Sequence, residues 1–204
     1  MSSLINKYDG MRKMTISSKQ ADGTRKVAIL LGNKVGADGL DLDVNPIEQS
    51  IESYQSTHSV PVGVELKPAT AHLIPYDIED KGAILPVGYD AKTNTWNAVM
   101  EGCNLSDVTV AFEKVCKNSD GTNGVNYIFR HAQLSVASKM SVKRATTTQL
   151  DLAIYLTPVP GSEYGLDGDL SSLMMAWQEY YGIYDGTKDT VTYDPVSQPT
   201  QSSK

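Results

Sequence analysis

The alternation of apolar and polar residues is the strongest pattern in this sequence, and it predicts a chain made mainly of β-strands. It is clearest between Asp107 and Leu156, where every second residue is apolar over several stretches. Side chains of a strand point to opposite faces in turn, so this spacing indicates antiparallel strands with one face buried and one exposed. The apolar face comprises Val108, Val110, Phe112, Val125, Tyr127, Phe129, Leu150, Leu152, Ile154 and Leu156.

Shorter strands and turns are predicted on both sides of that region. Arg12–Ser17 and Lys26–Leu31 form a hairpin around the turn pair Asp22-Gly23. Residues 60–100 are expected to be mostly extended, as edge strands and loops, because Pro61, Pro68, Pro75 and Pro86 interrupt them. Further predictions are a strand over Thr95–Met100, a hairpin tip over Asn118–Gly124 and a second strand over Leu134–Val142.

Two segments show helical signals instead. Asn45 and Pro46 suit the start of a helix ending near Gln55, because asparagine caps helices and proline fits their first position. An amphipathic helix is predicted over residues 169–181, with Gly182 at its end. Its apolar face has helical spacing and comprises Leu170, Leu173, Met174, Trp177 and Tyr181.

The fold class expected from these elements is mainly β (α+β), with antiparallel sandwich-like or barrel-like sheets flanked by one amphipathic and one short helix. Residues 1–185 are predicted to form a single domain. It includes a polar N-terminal arm over residues 1–10 and a long loop at about 32–60 that begins with Gly32, Gly36 and Gly39. Residues 186–204 are rich in serine, threonine and proline, which predicts a flexible tail.

Composition narrows the classes of function. The 204 residues carry a formal net charge of −6, which disfavours a protein that grips nucleic acid by neutralising phosphates. No run of 18 apolar residues is present, and the N-terminal sequence does not resemble a secretory signal, so no membrane association is expected. Cys103 and Cys116 are expected to be reduced thiols in a cytoplasmic chain.

The most suggestive motif is Asp41-x-Asp43-x-Asn45 followed by Glu52, which matches four positions of a calcium-binding EF-hand loop. The sixth position of such a loop is glycine, because the chain turns sharply there. This sequence has Pro46, whose φ angle is fixed near −65°. The motif is therefore better interpreted as loop and cap residues that precede a helix.

Other chemically capable residues form no recognisable site. Histidines 58, 72 and 131 lack a carboxylate or thiol at ligand spacing, and the three early glycines do not match a phosphate-binding loop. Lys139, Lys143 and Arg144 are interpreted as a solvated surface, or as partners of acidic groups on a neighbouring subunit. We predict no catalytic, cofactor-binding or metal-binding residues, and no enzyme activity.

The order of the elements resembles the tail tube, or major tail, proteins of tailed bacteriophages. The residues that carry the resemblance are the segment VTVAFEKVCKNSDGTNGVNYIFRHAQLSVASKMSVK and the strand TTTQLDLAIYLT. The layout matches from about Arg12 to Tyr184. The prolines between residues 61 and 86 depart from the layout of this family, so the resemblance leaves the number of strands open.

The resemblance implies a structural virion protein. Six copies would form a ring whose sheets join into an inner barrel, and rings would stack through the arm and the long loop into a tube. DNA would pass through the lumen without specific binding, and other tail proteins would be partners. The protein would be located in the virion tail, after assembly in the host cytoplasm.

Three alternatives remain at this stage. The first is another phage β-sandwich protein, such as a head decoration or baseplate component. The second is a carbohydrate-binding β domain that uses Trp96 as an aromatic platform. The third is an enzyme whose site is assembled from residues distant in sequence, which no motif would reveal.

Overall fold

The computed structural model describes residues 13–31, 34–53, 56–74, 78–97, 105–114, 124–141 and 149–195. Antiparallel strands dominate it, which confirms the mainly β fold class. The strands are β1 Lys13–Lys19, β2 Arg25–Leu31, β3 Val35–Asp41, β4 Val44–Ser53, β5 Ser56–Leu66, β6 Ala69–Leu73, β7 Tyr89–Asp90, β8 Thr95–Trp96, β9 Leu105–Glu113, β10 Val125–Ser141, β11 Gln149–Tyr155, β12 Val159–Pro160, β13 Met174–Met175, β14 Gln178–Asp185 and β15 Thr190–Tyr193.

One large sheet organises the molecule. Its strands run in the order β2-β1-β9-β10-β11-β6-β3, and β14 and β15 branch from the first half of β10. The helix α1, Ile78–Ile84, contacts β2 near one edge of this sheet, and its Asp80 pairs with Lys34 just before β3 at the other edge. The helix therefore lies between the two edge strands of the sheet.

The larger core lies on one face of this sheet. The side chains that the sequence assigned to the buried face, such as Phe112, Phe129 and Leu152, are fully buried there. Phe112 and Phe129 meet edge to face, with ring centroids 6.4 Å apart. Ile84 and Leu85, from the end of α1 and the residue after it, join the same cluster.

A smaller core lies on the opposite face, and it corrects the prediction that β9 has one exposed face. Thr109, Ala111 and Glu113 are as buried as the apolar residues between them. The covering layer is formed by β14, β15 and the segment Gly161–Met175, which bury Tyr164, Tyr180 and Tyr184 against Ala111 and Ile128. The polar side of β9 therefore faces a second layer instead of solvent.

The two strands predicted on either side of residue 131 are one strand. β10 pairs with β9 along one edge, while its other edge pairs first with β14 and then with β11. The register with β9 shifts between Phe129 and Ala132, where His131 has a positive φ of 51°. This β-bulge bends the strand so that it contributes to both layers.

The amphipathic helix predicted over residues 169–181 is absent, and this prediction is wrong. The segment instead forms a 3-10 helix over Gly168–Ser172, then β13 and the start of β14. In β14, Tyr180, Gly182 and Tyr184 are buried while Glu179, Tyr181 and Ile183 are exposed, which is strand alternation. Pairing with Val125–Ile128 of β10 overrides the helical spacing.

The short helix predicted from Asn45 to Gln55 is also wrong. Residues 44–53 form β4, which pairs with β5 in register from Val44–Leu66 to Ser53–Ser56. The predicted long loop at about 32–60 is likewise replaced in large part by β3, β4 and the first residues of β5. Pro61 lies opposite Glu48, where the register shifts, which is how the hairpin accommodates a residue without an N–H donor.

The structure also adds elements that the sequence did not indicate. Residues 78–84 were expected to be extended and instead form α1, with Glu79 and Asp80 in its first turn. β15 lies within the predicted tail and pairs with β14, so the flexible tail cannot begin at residue 186. The predicted arm over residues 1–10 lies outside the described residues, as do residues 118–123 of the predicted hairpin tip.

Gly182 allows β14 and β15 to approach closely. Its φ is +152°, and a Cβ atom there would lie 2.2 Å from the carbonyl oxygen of Thr192. We expect Gly182→Ala to lower the free energy of unfolding by about 3 kcal/mol, since it adds both backbone strain and overpacking. Gly165→Ala is the control, because Gly165 also has a positive φ but has open space around it.

The control should cost about 1 kcal/mol, from strain alone. Urea denaturation of both variants measures the difference. Equal losses in the two variants would show that the close approach at Gly182 does not limit stability.

Candidate functional site

The base of the β4–β5 hairpin is the most distinctive polar region of the molecule. The β3–β6 ladder ends with Asp41 opposite Thr70, and the β4–β5 ladder begins with Val44 opposite Leu66. Two residues separate the ladders on one side, Leu42 and Asp43, and three on the other, residues 67–69, so the hairpin follows directly on the edge of the sheet. Across this junction, Lys67 Nζ lies 3.1 Å from an Asp43 carboxylate oxygen.

His72 is held between two carboxylates next to this junction. Its Nδ1 lies 2.9 Å from Asp151 Oδ1 on β11, and its Nε2 lies 3.0 Å from Asp41 Oδ2 at the end of β3. Asp151 and His72 are directly opposite each other in the β11–β6 ladder, so their side chains share one face of the sheet. The histidine therefore connects three adjacent strands.

This arrangement favours a protonated histidine. A neutral imidazole has one N–H donor, while an imidazolium has two, and an ionised carboxylate can only accept. Burial disfavours the charged ring and lowers its pKa. The hydrogen bonds and charges of Asp41 and Asp151 outweigh that effect, so the pKa of His72 is raised above its usual value. Both ring nitrogens of His72 are engaged by carboxylates of the same chain.

A cavity of about 700 Å³ opens beside the junction. Its floor is the outer face of the sheet, with the small side chains of Thr70 and Ala153, and Tyr155 stands at its rim. Asp41, Asp43 and Lys67 supply charge on the hairpin side. The lining is mixed, because Leu42, Pro68 and Val136 add apolar surface beside these charged groups.

The residues of the EF-hand-like motif do not form a loop around one point. Asp41 ends β3 and contacts His72, Asp43 contacts Lys67, and Asn45 and Glu52 belong to the extended strand β4. The interpretation of Asp41, Asp43 and Asn45 as loop and cap residues before a helix is wrong for Asp41 and Asn45, which lie in strands, while Asp43 lies in the short connection between them. Over the described ranges, no group of three or more potential ligands is placed to hold a metal ion.

In the structure, carboxylates lie next to His72 and His131, although neither histidine has a carboxylate at ligand spacing in the sequence. His131 Nδ1 hydrogen-bonds to Asp107, and its Nε2 lies 3.7 Å from Glu163. Asp107 and His131 both have positive φ angles, 53° and 51°, at the point where β10 bends. Asp and His tolerate this conformation better than most residues, so the contact fits a support for the bulge. No local motif could have revealed it.

Two buried polar networks connect the layers. Glu113 is 3% exposed; it pairs with Lys13 and accepts hydrogen bonds from the Tyr184 backbone N–H at 2.7 Å and the Tyr180 hydroxyl at 3.1 Å. Burial, together with the neighbouring Glu113 charge, raises the pKa of Tyr180, so its hydroxyl remains a donor. Each acceptor has a partner here, which suits a structural role.

The second network is centred on Asp189 in the turn between β14 and β15. Its carboxylate pairs with Arg25 of β2, lies 3.1 Å from Arg130 Nη1 and accepts the Tyr184 hydroxyl at 2.7 Å. Because these partners belong to β2, β10 and β14, the network fastens the turn of the second layer onto the large sheet.

The remaining sequence candidates are placed as follows. Trp96 is half-buried; its Nε1 donates to the Leu85 carbonyl, and Lys81 lies 5.6 Å from its ring centre, so it presents no open aromatic platform. Gly36 and Gly39 lie in β3, whereas Gly32 is outside the described residues. His58 lies in β5 and Lys139 in β10. Cys103, Cys116, Lys143 and Arg144 also lie outside the described part of the chain.

Comparison with known proteins adds no relative to this description. No protein-family model matches the chain, and no curated protein matches it. Among the residues that the structure describes, no helix has the length and apolar character needed to cross a membrane.

The His72 bridge predicts a pH dependence of stability. Its pKa is raised in the folded protein, so the bridge should stabilise the fold fully below the unfolded value of about 6.5 and lose this contribution as pH rises through the folded pKa. Denaturation midpoints at pH 5.5 and 8 should show a loss of stability in the wild type.

His72→Gln should show a smaller decrease between these pH values, because its side chain does not titrate. Asp151→Asn should also reduce the decrease, by removing one of the two acceptors. NMR titration of His72 provides a direct measurement. A pKa at or below that of a free histidine would contradict the assignment.

Proposed function

We propose that this protein is a structural virion component of the tail tube class, which assembles into stacked hexameric rings and has no enzymatic role. The observation that carries the proposal is the β4–β5 hairpin. Its strands, ten and eleven residues long, hydrogen-bond to each other and, within the described ranges, to no further strand.

A hairpin of this length needs to pack against a partner to be stable. An isolated two-stranded ribbon is marginally stable in water at best. Here the β4–β5 ribbon follows directly on the β3–β6 ladder and pairs with no strand of the large sheet among the described residues, and a second copy of the chain is the partner that the proposal assigns to it. Contacts of this kind between rings would give the stacking interaction of a tube.

The edges of the large sheet support the same proposal. β2 pairs with β1, and β3 pairs with β6, while neither has a strand partner on its other side among the described residues. Exposed edges invite pairing with another chain, and natural proteins usually protect them. Helix α1 contacts β2 and pairs with Lys34 just before β3, so in a ring, neighbouring sheets would join along the parts of these edges that α1 leaves open.

The net charge of −6 agrees with a conduit for DNA, because negative walls repel phosphates and let the duplex slide. Both ring nitrogens of His72 lie within hydrogen-bond distance of carboxylates, which leaves neither directed at a substrate. These features support a structural role in the virion tail, with other tail proteins as partners.

A second candidate is another phage virion protein, such as a head decoration or baseplate component, since a two-layer β fold and a projecting hairpin serve those roles as well. The carbohydrate-binding alternative is less favoured, because the face of Trp96 is occupied by Lys81. Assembly geometry separates these candidates: stacked rings support the tube, whereas isolated trimers or monomers support the others.

Shortening the hairpin tests the proposal. In the variant, residues 49–60 are removed and Glu48 is joined to Pro61 by Asn-Gly, which forms a tight turn. We expect circular dichroism and the melting temperature to stay nearly unchanged, because the deleted residues that the structure describes, 49–53 and 56–60, form strand pairs with one another alone. Electron microscopy of concentrated protein should show stacked tubes for the wild type and separate rings for the variant.

A matched control replaces Ala91 and Lys92 with glycine, in the exposed turn between β7 and β8. This control should form tubes like the wild type. A wild-type protein that stays monomeric at high concentration would overturn the proposal, and so would a shortened variant that still forms tubes.

A further inference from the structure

The edge strand β3 is attached to the large sheet unevenly. Its register with β6 is irregular between Val35 and Leu40, where residues 36–39 lie opposite one residue of β6, His72. The other side of β3 has no strand partner among the described residues. Segments with few contacts of this kind open locally at lower free energy than the core, so the contacts at the two ends of β3 matter for its order.

The two ends of β3 are held in different ways. At the start, the Ile74 backbone N–H donates to the Lys34 carbonyl at 2.7 Å, and the Lys34 side chain pairs with Asp80 of α1. At the other end, Asp41 is the last residue of the strand, and its carboxylate lies 3.0 Å from His72 Nε2. The contact at this end therefore includes a side chain that titrates near neutral pH.

Two carboxylates face the His72 ring among the described side chains. Asp151 approaches from β11 and Asp41 from β3, the two strands that flank β6 in the sheet. Asp43 and Lys67 lie at the junction beyond Asp41, where they pair with each other. The charge of the His72 ring is therefore what decides whether both of its contacts persist near neutral pH.

Loss of the ring proton leaves only one of the two contacts. A neutral imidazole has one N–H donor, and its other nitrogen carries a lone pair and accepts. An ionised carboxylate also only accepts. The carboxylate beside the unprotonated nitrogen thus loses its hydrogen bond and meets a lone pair in its place.

The exposure of the two carboxylates indicates which contact is lost. The Asp151 side chain is 19% exposed, whereas that of Asp41 is 71% exposed. An enclosed carboxylate without a donor costs more free energy than a hydrated one, so the single N–H stays on Nδ1, next to Asp151. The lone pair of Nε2 is then directed at Asp41, which lines the cavity beside the junction and has room to move into solvent.

We propose that His72 is a pH-sensitive switch for the end of β3, in which the protonated ring holds Asp41 and the neutral ring releases it while keeping Asp151. Only Leu42 and Asp43 separate Asp41 from β4, so the release also loosens the origin of the β4–β5 hairpin. The opening is local, because Asp151 and the remaining contacts of the sheet are kept.

The switch opens as the pH rises. Burial lowers the pKa of His72, but the hydrogen bonds and charges of Asp41 and Asp151 outweigh it and raise the pKa above the usual value of about 6.5. Both contacts are therefore present at pH 5.5. The contact with Asp41 is lost as the pH rises through the raised pKa.

Hydrogen–deuterium exchange of the full chain tests the switch. The protection factors of the ladder amides at Leu40 and Asp41, corrected for the intrinsic effect of pH, should fall about threefold or more between pH 5.5 and 8.5. These amides should exchange faster than those of the β1–β9 ladder at both pH values, which identifies the opening as local. Equal protection in the two ladders, or no fall at Leu40 and Asp41, would overturn the switch.

Asp41→Asn isolates the cause. An asparagine side chain accepts from the protonated ring through its oxygen and donates to the neutral ring through its nitrogen, so the contact persists in both states. The fall in protection at Leu40 should then shrink to less than about 1.5-fold. A fall of wild-type size in this variant would show that the Asp41 carboxylate is not what the neutral ring releases.

Asp107→Asn is the matched control, since it changes the carboxylate beside another histidine, His131. Asn tolerates the positive φ of this position, and both altered side chains are exposed, so both variants should fold. This control should retain the wild-type fall in protection at Leu40. Loss of the fall in the control would contradict a role specific to Asp41.

The tautomer of the ring provides an independent measurement in the wild type. Nitrogen-15 chemical shifts of His72 above its pKa should place the remaining proton on Nδ1. A proton on Nε2 would mean that Asp41 is kept and Asp151 released, which overturns the proposal. The switch needs neither rings nor tubes, so these outcomes are separate from the test of the virion role.

Discussion

The bend in β10 is the constraint on which the two-layer structure depends. A strand has two edges, and β10 uses one of them for β9 along its length. Its other edge serves β14 over Val125–Ile128 and β11 from Gln133 onward, so the change of partner has to occur in between. The bulge at His131 lies in that interval. Without it, β14 and β11 would compete for one continuous edge.

The two polar networks stabilise the placement of the second layer on the large sheet. Once β14 and β15 fold across the sheet, Glu113 and Asp189 are enclosed together with cationic and hydroxyl partners from several strands. A buried carboxylate without partners would be costly, so these contacts favour one placement of the second layer over others. The β4–β5 hairpin, in contrast, contributes no residue to either described core.

Residue patterns predicted the central strands of the large sheet well, because the alternation in β1, β9 and β11 is typical of strands, but they did not show that the polar side of β9 is buried as well. They failed where a segment fits two periods. Leu170, Leu173 and Tyr181 have helical spacing, while Tyr180, Gly182 and Tyr184 alternate as in a strand, and a partner more than fifty residues earlier decides between them. The His72 bridge was equally hidden, since its carboxylates lie 31 and 79 positions away in the sequence. Local patterns carry no information about such contacts.

The length of the β4–β5 hairpin has a geometric consequence. A ten-residue strand extends about 33 Å, since each residue advances the chain by about 3.3 Å. The junction at Asp43 and Lys67 gives this ribbon a defined origin on the sheet edge. In a stack of rings joined through the hairpin, the length of the ribbon would limit how far one ring reaches into the next. The depth of that overlap would then depend on the number of residue pairs between Val44 and Ser53.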